Sequence, residues 1–134
     1  MGVWDTGPFD NDDAGDWVDE FDEASPDERL ILLRSTLQTD GDNLEIDRCL
    51  TIIAAAATVA ALIPGGPSVD EAYGPQSLNE SGVLVTPDLR DNARRSLIVA
   101  TAAGSEWSEL WAEVDGRDEA LEALHAVLQA LIAK

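Results

Sequence analysis

The chain has 134 residues, of which 27 are acidic and 8 are Lys or Arg, and its formal charge is −19. This length suits one domain with a buried core that needs neither disulfides nor a structural metal. The charge disfavours direct attraction to nucleic acid or to anionic membranes, and it makes basic proteins and cations the natural partners. The alternative is that the charge only keeps the protein soluble.

Cys49 is the one cysteine in the sequence, so no internal disulfide can form. Its apolar neighbours predict a buried thiol that serves as a small hydrophobic residue. The N-terminus lacks the positively charged and then apolar pattern of a secretory signal. These features lead us to expect a cytoplasmic protein in a reducing compartment.

A first helix is predicted from about residue 10 to residue 23, with Asp10 or Asn11 as its N-cap. Its apolar residues recur at i, i+3, i+4 and i+7 and so form one buried stripe: Ala14, Trp17, Val18 and Phe21. The region from Asp5 to Glu28 holds eleven carboxylates and no basic residue. A ridge of acids lies opposite the stripe, with Asp13, Glu20 and Asp22 beside it: Asp12, Asp16, Asp19 and Glu23. We predict that a basic partner binds six of these acids: Asp12, Asp13, Asp16, Asp19, Glu20 and Glu23.

A second helix is predicted to begin at Ser25-Pro26-Asp27-Glu28, where the serine caps, the proline occupies the first turn and Glu28 completes a capping box. Three leucines mark its core face: Leu30, Leu33 and Leu37. The Asp40-Gly41-Asp42 sequence should end this helix.

A third helix is predicted from about 43 to 63. Its second half is Ala-rich and apolar all round, which is typical of the central helix of a bundle. The apolar run from Cys49 ends at Ile63, before a Pro-Gly-Gly-Pro turn, so it is too short and too weakly apolar to span a membrane.

The segment from 64 to 85 has no helical period, and turn-forming Gly/Pro pairs recur in it. Loops of this length are usually binding loops, packed surface loops or disordered. Several apolar residues favour packing here: Val69, Tyr73, Leu78 and Val83 to Val85. A short strand at 83–85 is possible. Whether the loop has a function is left open.

Three further helical segments follow, the first beginning at Thr86-Pro87 and ending near Gly104, and the last running from 117 to 133. Their apolar faces are Leu89, Ala93, Leu97 and Ala100; Trp107, Leu110, Trp111 and Val114; and Leu121, Leu124, Leu128, Leu131 and Ile132. The sequence therefore predicts a single all-α domain, 1–134, of five or six helices around the segment 43–63, with one long Gly/Pro-rich loop.

No catalytic signature is present. His125 is the only histidine and is predicted on the polar face of the last helix, so neither a zinc site nor a Cys/His nucleophile is expected. Glycine motifs that hold nucleotide phosphates are absent. The run from Asp10 to Asp16 suits the start of a calcium-binding loop, but Ala14 and Phe21 occupy two of the ligand positions. We therefore expect no cofactor, no metal and no enzymatic activity.

The N-terminal residues follow the pattern Gly-x-Trp-x-x-x-x-Phe-x-x-Asp-x-Ala-x-Asp-Trp, which Gly2, Trp4, Phe9, Asp12, Ala14, Asp16 and Trp17 supply. This opening resembles the bacterial domain-of-unknown-function family DUF4259, and the later stretches are similar to it only loosely. Asp5 stands where a small residue is expected after the first Trp. The resemblance implies no activity. Physically, Trp4 and Phe9 are placed to fold back onto the first helix.

The acidic helix favours a non-enzymatic binding protein that meets a basic protein partner, as an immunity or inhibitor protein masking a basic toxin or nucleic-acid enzyme would. One alternative is an enzyme with a carboxylate pair in a cleft between the first helix and the 64–85 loop. Another is a homo-oligomer whose interface is the Trp107–Trp111 segment or the face of the C-terminal helix. The sequence leaves the oligomeric state open.

Overall fold

The computed structural model describes residues 8–9, 11–39, 45–64, 66–67, 74–78, 81–102, 104–113 and 117–132. This part of the chain contains seven α-helices and no β-strand, so the predicted all-α class is confirmed. The helices are α1 (Asp12–Glu23), α2 (Pro26–Thr36), α3 (Ile46–Leu62), α4 (Pro87–Ala100), α5 (Glu106–Glu113), α6 (Arg117–Ala123) and α7 (His125–Ile132). The possible strand at 83–85 is not formed, because residues 81–86 lie outside any helix or strand.

Helix α3 is the centre of the fold, as predicted. It packs against α1, α2, α4, α5 and α7, and every residue from Ile52 to Ala60 is buried. Four consecutive alanines, 54–57, keep the helix slim enough to be surrounded on all sides. The one polar residue in this stretch, Thr58, donates its hydroxyl hydrogen bond to the Ala54 carbonyl oxygen (2.9 Å), so no polar group is left unsatisfied there. None of the helices in the described part of the chain is long and apolar enough to cross a membrane.

Three helices begin at the residues that the sequence predicts. The side chains of Asn11, Ser25 and Thr86 each accept a hydrogen bond from a backbone N–H in the first turn of α1, α2 and α4. The capping box of α2 is complete, because Glu28 also accepts from the Ser25 N–H (3.1 Å). These hydrogen bonds hold the pKa of Glu28 below its usual value.

Other helix ends are satisfied by residues distant in sequence. The Ile46 N–H at the start of α3 donates to the Glu106 carboxylate of α5 (3.0 Å). At the end of α2, the Ser96 hydroxyl of α4 donates to the Leu37 carbonyl oxygen. These bonds complete the helix ends through tertiary contacts rather than through local caps.

The C-terminal region differs from the prediction of one helix over 117–133. The helix is interrupted at Leu124, whose N–H donates to the Leu121 carbonyl oxygen (3.1 Å), three residues back. The predicted core residue Ile132 is exposed, whereas Val127 is buried. The described part of the chain therefore has seven helices rather than five or six.

Candidate protein-binding surface

The predicted stripe of α1 forms its inner side. Ala14, Trp17, Val18 and Phe21 are all buried against the core. The Trp17 indole N–H donates to the Thr36 hydroxyl oxygen (2.9 Å), and its ring stacks on Phe21 with 5.4 Å between ring centroids. Specific packing and a buried hydrogen bond therefore fix the rotation of α1.

The six predicted binding residues lie on the remaining sides of α1. Five are exposed: Asp12, Asp16, Asp19, Glu20 and Glu23. Asp13 is half-buried. We call these six residues the acidic face. From Asp12 to Glu23 it extends about 16 Å along the helix axis, given the rise of about 1.5 Å per residue. Trp4 lies outside the described residues, and Phe9, which was predicted to fold back onto the first helix, is buried in the core.

The acidic face is not neutralised by arginines of the described part of the chain. The ion pairs recorded there join Asp91 to Arg94 and Arg95, all on α4. These pairs hold the pKa of Asp91 below its usual value. No residue of the acidic face takes part in such a pair, so the negative charge on α1 is displayed to solvent.

A seventh carboxylate, on α3, borders the acidic face. The pKa of Asp13 is raised by its partial burial and then by the negative charges of Asp47, Asp16 and Asp12. Asp47 is exposed in the first turn of α3, which packs beside α1. The sequence could not reveal this neighbour, because 34 positions separate Asp47 from Asp13.

Asp22, which helical spacing places beside the binding residues, has a different role. Its carboxylate accepts hydrogen bonds from the Gln76 N–H (3.1 Å), the Ser77 N–H (3.1 Å) and the Ser77 hydroxyl (2.6 Å). Asp22 therefore fixes the segment 74–78 to the last turn of α1. Its lone pairs are occupied by the protein itself, so it is not part of the acidic face.

Arg29 of α2 also contacts the last turn of α1. Its buried guanidinium donates to the carbonyl oxygens of Phe21 (2.9 Å), Asp22 (2.9 Å) and Ser81 (3.2 Å), and it lies 5.5 Å from the centroid of the Phe21 ring. A cation at the C-terminal end of α1 is favourable because unsatisfied carbonyls concentrate negative charge there. Arg29 was not predicted from the sequence. Its i, i+4 alignment with the buried Leu33 is the signal that could have revealed it.

The predicted carboxylate cleft between α1 and the 64–85 loop stays untested, because residues 65, 68–73 and 79–80 lie outside the described part of the chain. The acid that meets the described part of the loop is Asp22, whose oxygens are occupied. Asp13, whose pKa is raised, lies nine residues away, or about 13 Å along α1. Trp107, proposed for an oligomer interface, is buried within the chain. The enzyme and homo-oligomer hypotheses stay predictions.

Other reactive groups are also placed by the structure. His125 is exposed on the polar side of α7, as its spacing predicts. Cys49 is buried, and burial raises the pKa of its thiol. In the described part of the chain no group of three or more His, Cys, Asp or Glu residues is arranged to hold a metal ion.

These features define a small helical domain with a set of carboxylates on one outer helix that form no ion pair within the described part of the chain. The chain belongs to the family described as Domain of unknown function (DUF4259), whose family model matches residues 2–124. The match covers far more than the N-terminal motif and confirms the resemblance. No curated protein and no solved structure is detectably similar to the chain.

Proposed function

We propose that this protein is a non-enzymatic binding protein whose acidic face docks on a basic surface of a protein partner. Its partner would be a basic toxin or a nucleic-acid enzyme that the protein masks, as an immunity or inhibitor protein does, in the bacterial cytoplasm. The observation that carries the proposal is the set of five exposed carboxylates and one half-buried carboxylate on one packed helix, with no ion pair to them in the described residues.

Electrostatics supports this use of α1. Like charges at i, i+4 destabilise a helix by roughly a few tenths of a kcal/mol per pair, and the acidic face contains several such pairs. A partner that supplies Lys or Arg side chains relieves this repulsion in the complex. Complementary fields also accelerate diffusional encounter and discriminate against acidic competitors.

The test compares two charge-reversed variants that have the same net charge. The face variant is Asp12→Lys, Asp16→Lys, Asp19→Lys and Glu23→Lys. The control variant reverses four exposed acids on α5 and α6: Glu109→Lys, Glu113→Lys, Glu119→Lys and Glu122→Lys. Proteins captured from host lysate with the unaltered chain are identified and purified, and their dissociation constants are measured by calorimetry at several NaCl concentrations.

The face variant should bind at least about 100-fold more weakly, because like charges across an interface cost several kcal/mol. The control variant should keep most of the affinity, and binding of the unaltered chain should weaken steeply with salt. Circular dichroism establishes that both variants are folded. Equal losses in the two variants would show that total charge, not the acidic face, governs binding and would reject the proposal.

A further inference from the structure

The middle of α2 carries apolar residues on every side. Leu30, Ile31, Leu32 and Leu33 are consecutive, so they surround the helix axis at one level. Of the four, Leu33 is fully buried, Leu30 and Leu32 are half-buried, and Ile31 is 66% exposed. A helix that is apolar all round is normally covered on all sides, as α3 is. At this level the described part of the chain covers α2 on its inner side alone.

Folding gives no reason for an isoleucine at position 31. Helical geometry places Ile31 about 160° around the axis from Arg29 and from Leu33, which are both buried. The side chain therefore points away from the core. At an exposed helix position isoleucine is also a weaker helix former than Ala, Leu, Lys or Glu. Neither burial nor helix propensity favours this residue, whereas a contact with a partner would.

Isolated apolar residues are common on protein surfaces, and the charges around Ile31 are what distinguish it. Asp27 and Glu28 precede it by four and three residues, so they are its neighbours on α2, and both are exposed. Glu23, the last residue of α1 and part of the acidic face, is exposed four residues before Asp27. Exposed acids therefore lead from the acidic face to Ile31, and Arg34, one turn beyond, bounds them.

We propose that Ile31, flanked by Leu30 and Leu32, is the apolar anchor of the interface with the basic partner. The partner holds Ile31 in an apolar pocket whose rim carries Lys or Arg side chains that face Asp27 and Glu28. Charge complementarity selects this occupant, because an acidic or neutral surface would leave both carboxylates unpaired. Affinity in interfaces comes mainly from a few buried anchors, and the acidic face itself contains no apolar residue. The anchor rests on the proposed function, because it engages the same basic partner.

Photochemical cross-linking tests where the partner lies. A photoreactive benzoylphenylalanine replaces Asp16, Ile31 or Ile98 in three full-length chains, and the protein cross-linked to each chain in host lysate is identified by mass spectrometry. Position 16 reports the acidic face. Position 98 on α4 is the control, because Ile98 is also an exposed isoleucine. We expect positions 16 and 31 to cross-link the same basic protein and position 98 not to cross-link it.

The other outcomes separate the anchor from the proposed function. Cross-linking from position 16 without position 31 overturns the anchor and leaves the proposed function standing. A basic protein cross-linked from neither position rejects both. Equal cross-linking from positions 31 and 98 would show that exposed isoleucines bind proteins without selection, which also overturns the anchor.

Binding kinetics with that partner, once purified, measure the contribution of the anchor. Ile31→Ala should raise the dissociation rate roughly tenfold or more, the effect of losing a central interface contact, and leave the association rate within about twofold. The face variant should instead lower the association rate, since its charges steer encounter. Ile98→Ala should change neither rate. The midpoint of thermal unfolding establishes that both alanine variants are folded. An unchanged dissociation rate for Ile31→Ala overturns the anchor.

Discussion

Asp13 shows at a single residue what the acidic face costs the folded chain. Its pKa in the folded protein is raised above the ordinary value of 3.8 by partial burial and by the charges of Asp47, Asp16 and Asp12. A raised carboxyl pKa contributes stability that is present below the unfolded pKa and is lost as the pH rises through the folded pKa. At neutral pH the ionised Asp13 is therefore unfavourable to folding.

Asp13→Asn should consequently stabilise the protein at pH 7, by roughly a few tenths of a kcal/mol, which is the size of a like-charge pair on a helix. The gain should disappear as the pH falls well below 3.8, the ordinary carboxyl pKa, because Asp13 is then protonated in both the folded and the unfolded state. Urea denaturation at a series of pH values measures the difference. Asp12→Asn is the control, because it removes the same charge from an exposed residue in the same turn. A gain that persists in acid, or that Asp12→Asn reproduces, would contradict the assignment.

Arg29 is the residue whose loss should be most damaging. Truncation leaves the carbonyl oxygens of Phe21, Asp22 and Ser81 without their buried donor. Arg29→Ala should therefore destabilise by about 3 kcal/mol, the scale of a lost buried charge-assisted network. Arg29→Lys should recover only part of this, since one ammonium group cannot reproduce the planar fork.

The measurement is the free energy of unfolding in urea, with Arg34→Ala as the matched control. Arg34 lies on the same helix and is exposed, so its loss should change stability by no more than about 0.5 kcal/mol. If Arg29→Ala were as mild as Arg34→Ala, the three hydrogen bonds would have no structural weight.

At the level of the helices, the sequence predicted those features that depend on local contacts. The starts at Asn11, Ser25 and Thr86 were predictable because an N-cap bonds to a backbone group only two or three residues away. The N–H of Ile46 at the start of α3 is satisfied by Glu106, sixty residues later, and α7 packs on α3 and α4. Neither contact leaves a periodic signal in the sequence.

The same distinction applies to the candidate surface. The acidic face could be predicted because the apolar stripe of α1 fixes which residues point outward. The contacts of Asp22 with Gln76 and Ser77, and of Arg29 with Ser81, could not be predicted, because these partners lie more than fifty residues away. Helical periodicity assigns a side chain to a face, but it does not identify the segment that packs there.

The junction between α2 and the segment 81–86 gives a further prediction. Gly82 has a φ of +72°, and a Cβ added to it would lie 2.6 Å from the Pro26 Cβ at the start of α2. Gly82→Ala should destabilise by about 2 kcal/mol, since the left-handed conformation and the clash both oppose a side chain. Gly15→Ala makes the same chemical change inside α1, where no atom of another element lies within 4 Å, and should stabilise by about 0.5–1 kcal/mol.

Thermal unfolding of the two alanine variants measures both changes in stability. The midpoint temperature should fall for Gly82→Ala and rise for Gly15→Ala. An unchanged or raised midpoint for Gly82→Ala would show that neither the backbone conformation nor the contact with Pro26 constrains position 82.

On the scale of the whole molecule, one core supports a chain whose charges are mostly negative. The core is organised around α3, whose alanines allow five helices to approach. The chain has 27 acidic residues and 8 basic ones, and one of the basic residues, Arg29, is buried. The folded chain therefore holds its carboxylates closer together than the unfolded chain does, so self-repulsion opposes folding.

Salt should consequently act on stability and on binding in opposite directions. At pH 7 the midpoint temperature should rise by about 4 °C or more as NaCl increases from low to moderate concentration, because screening removes roughly 1 kcal/mol of repulsion. Near the sequence pI of about 4.1 the net charge vanishes, and the same salt series should leave the midpoint nearly unchanged. That acidic series is the control for any general effect of NaCl on protein hydration.

Binding to a basic partner should weaken over the salt series at pH 7, because the charges that destabilise the free protein are those that attract the partner. A midpoint that falls with NaCl at pH 7 would mean that favourable ion pairs outweigh repulsion across the surface, and the acidic face would then lack the uncompensated charge that docking requires.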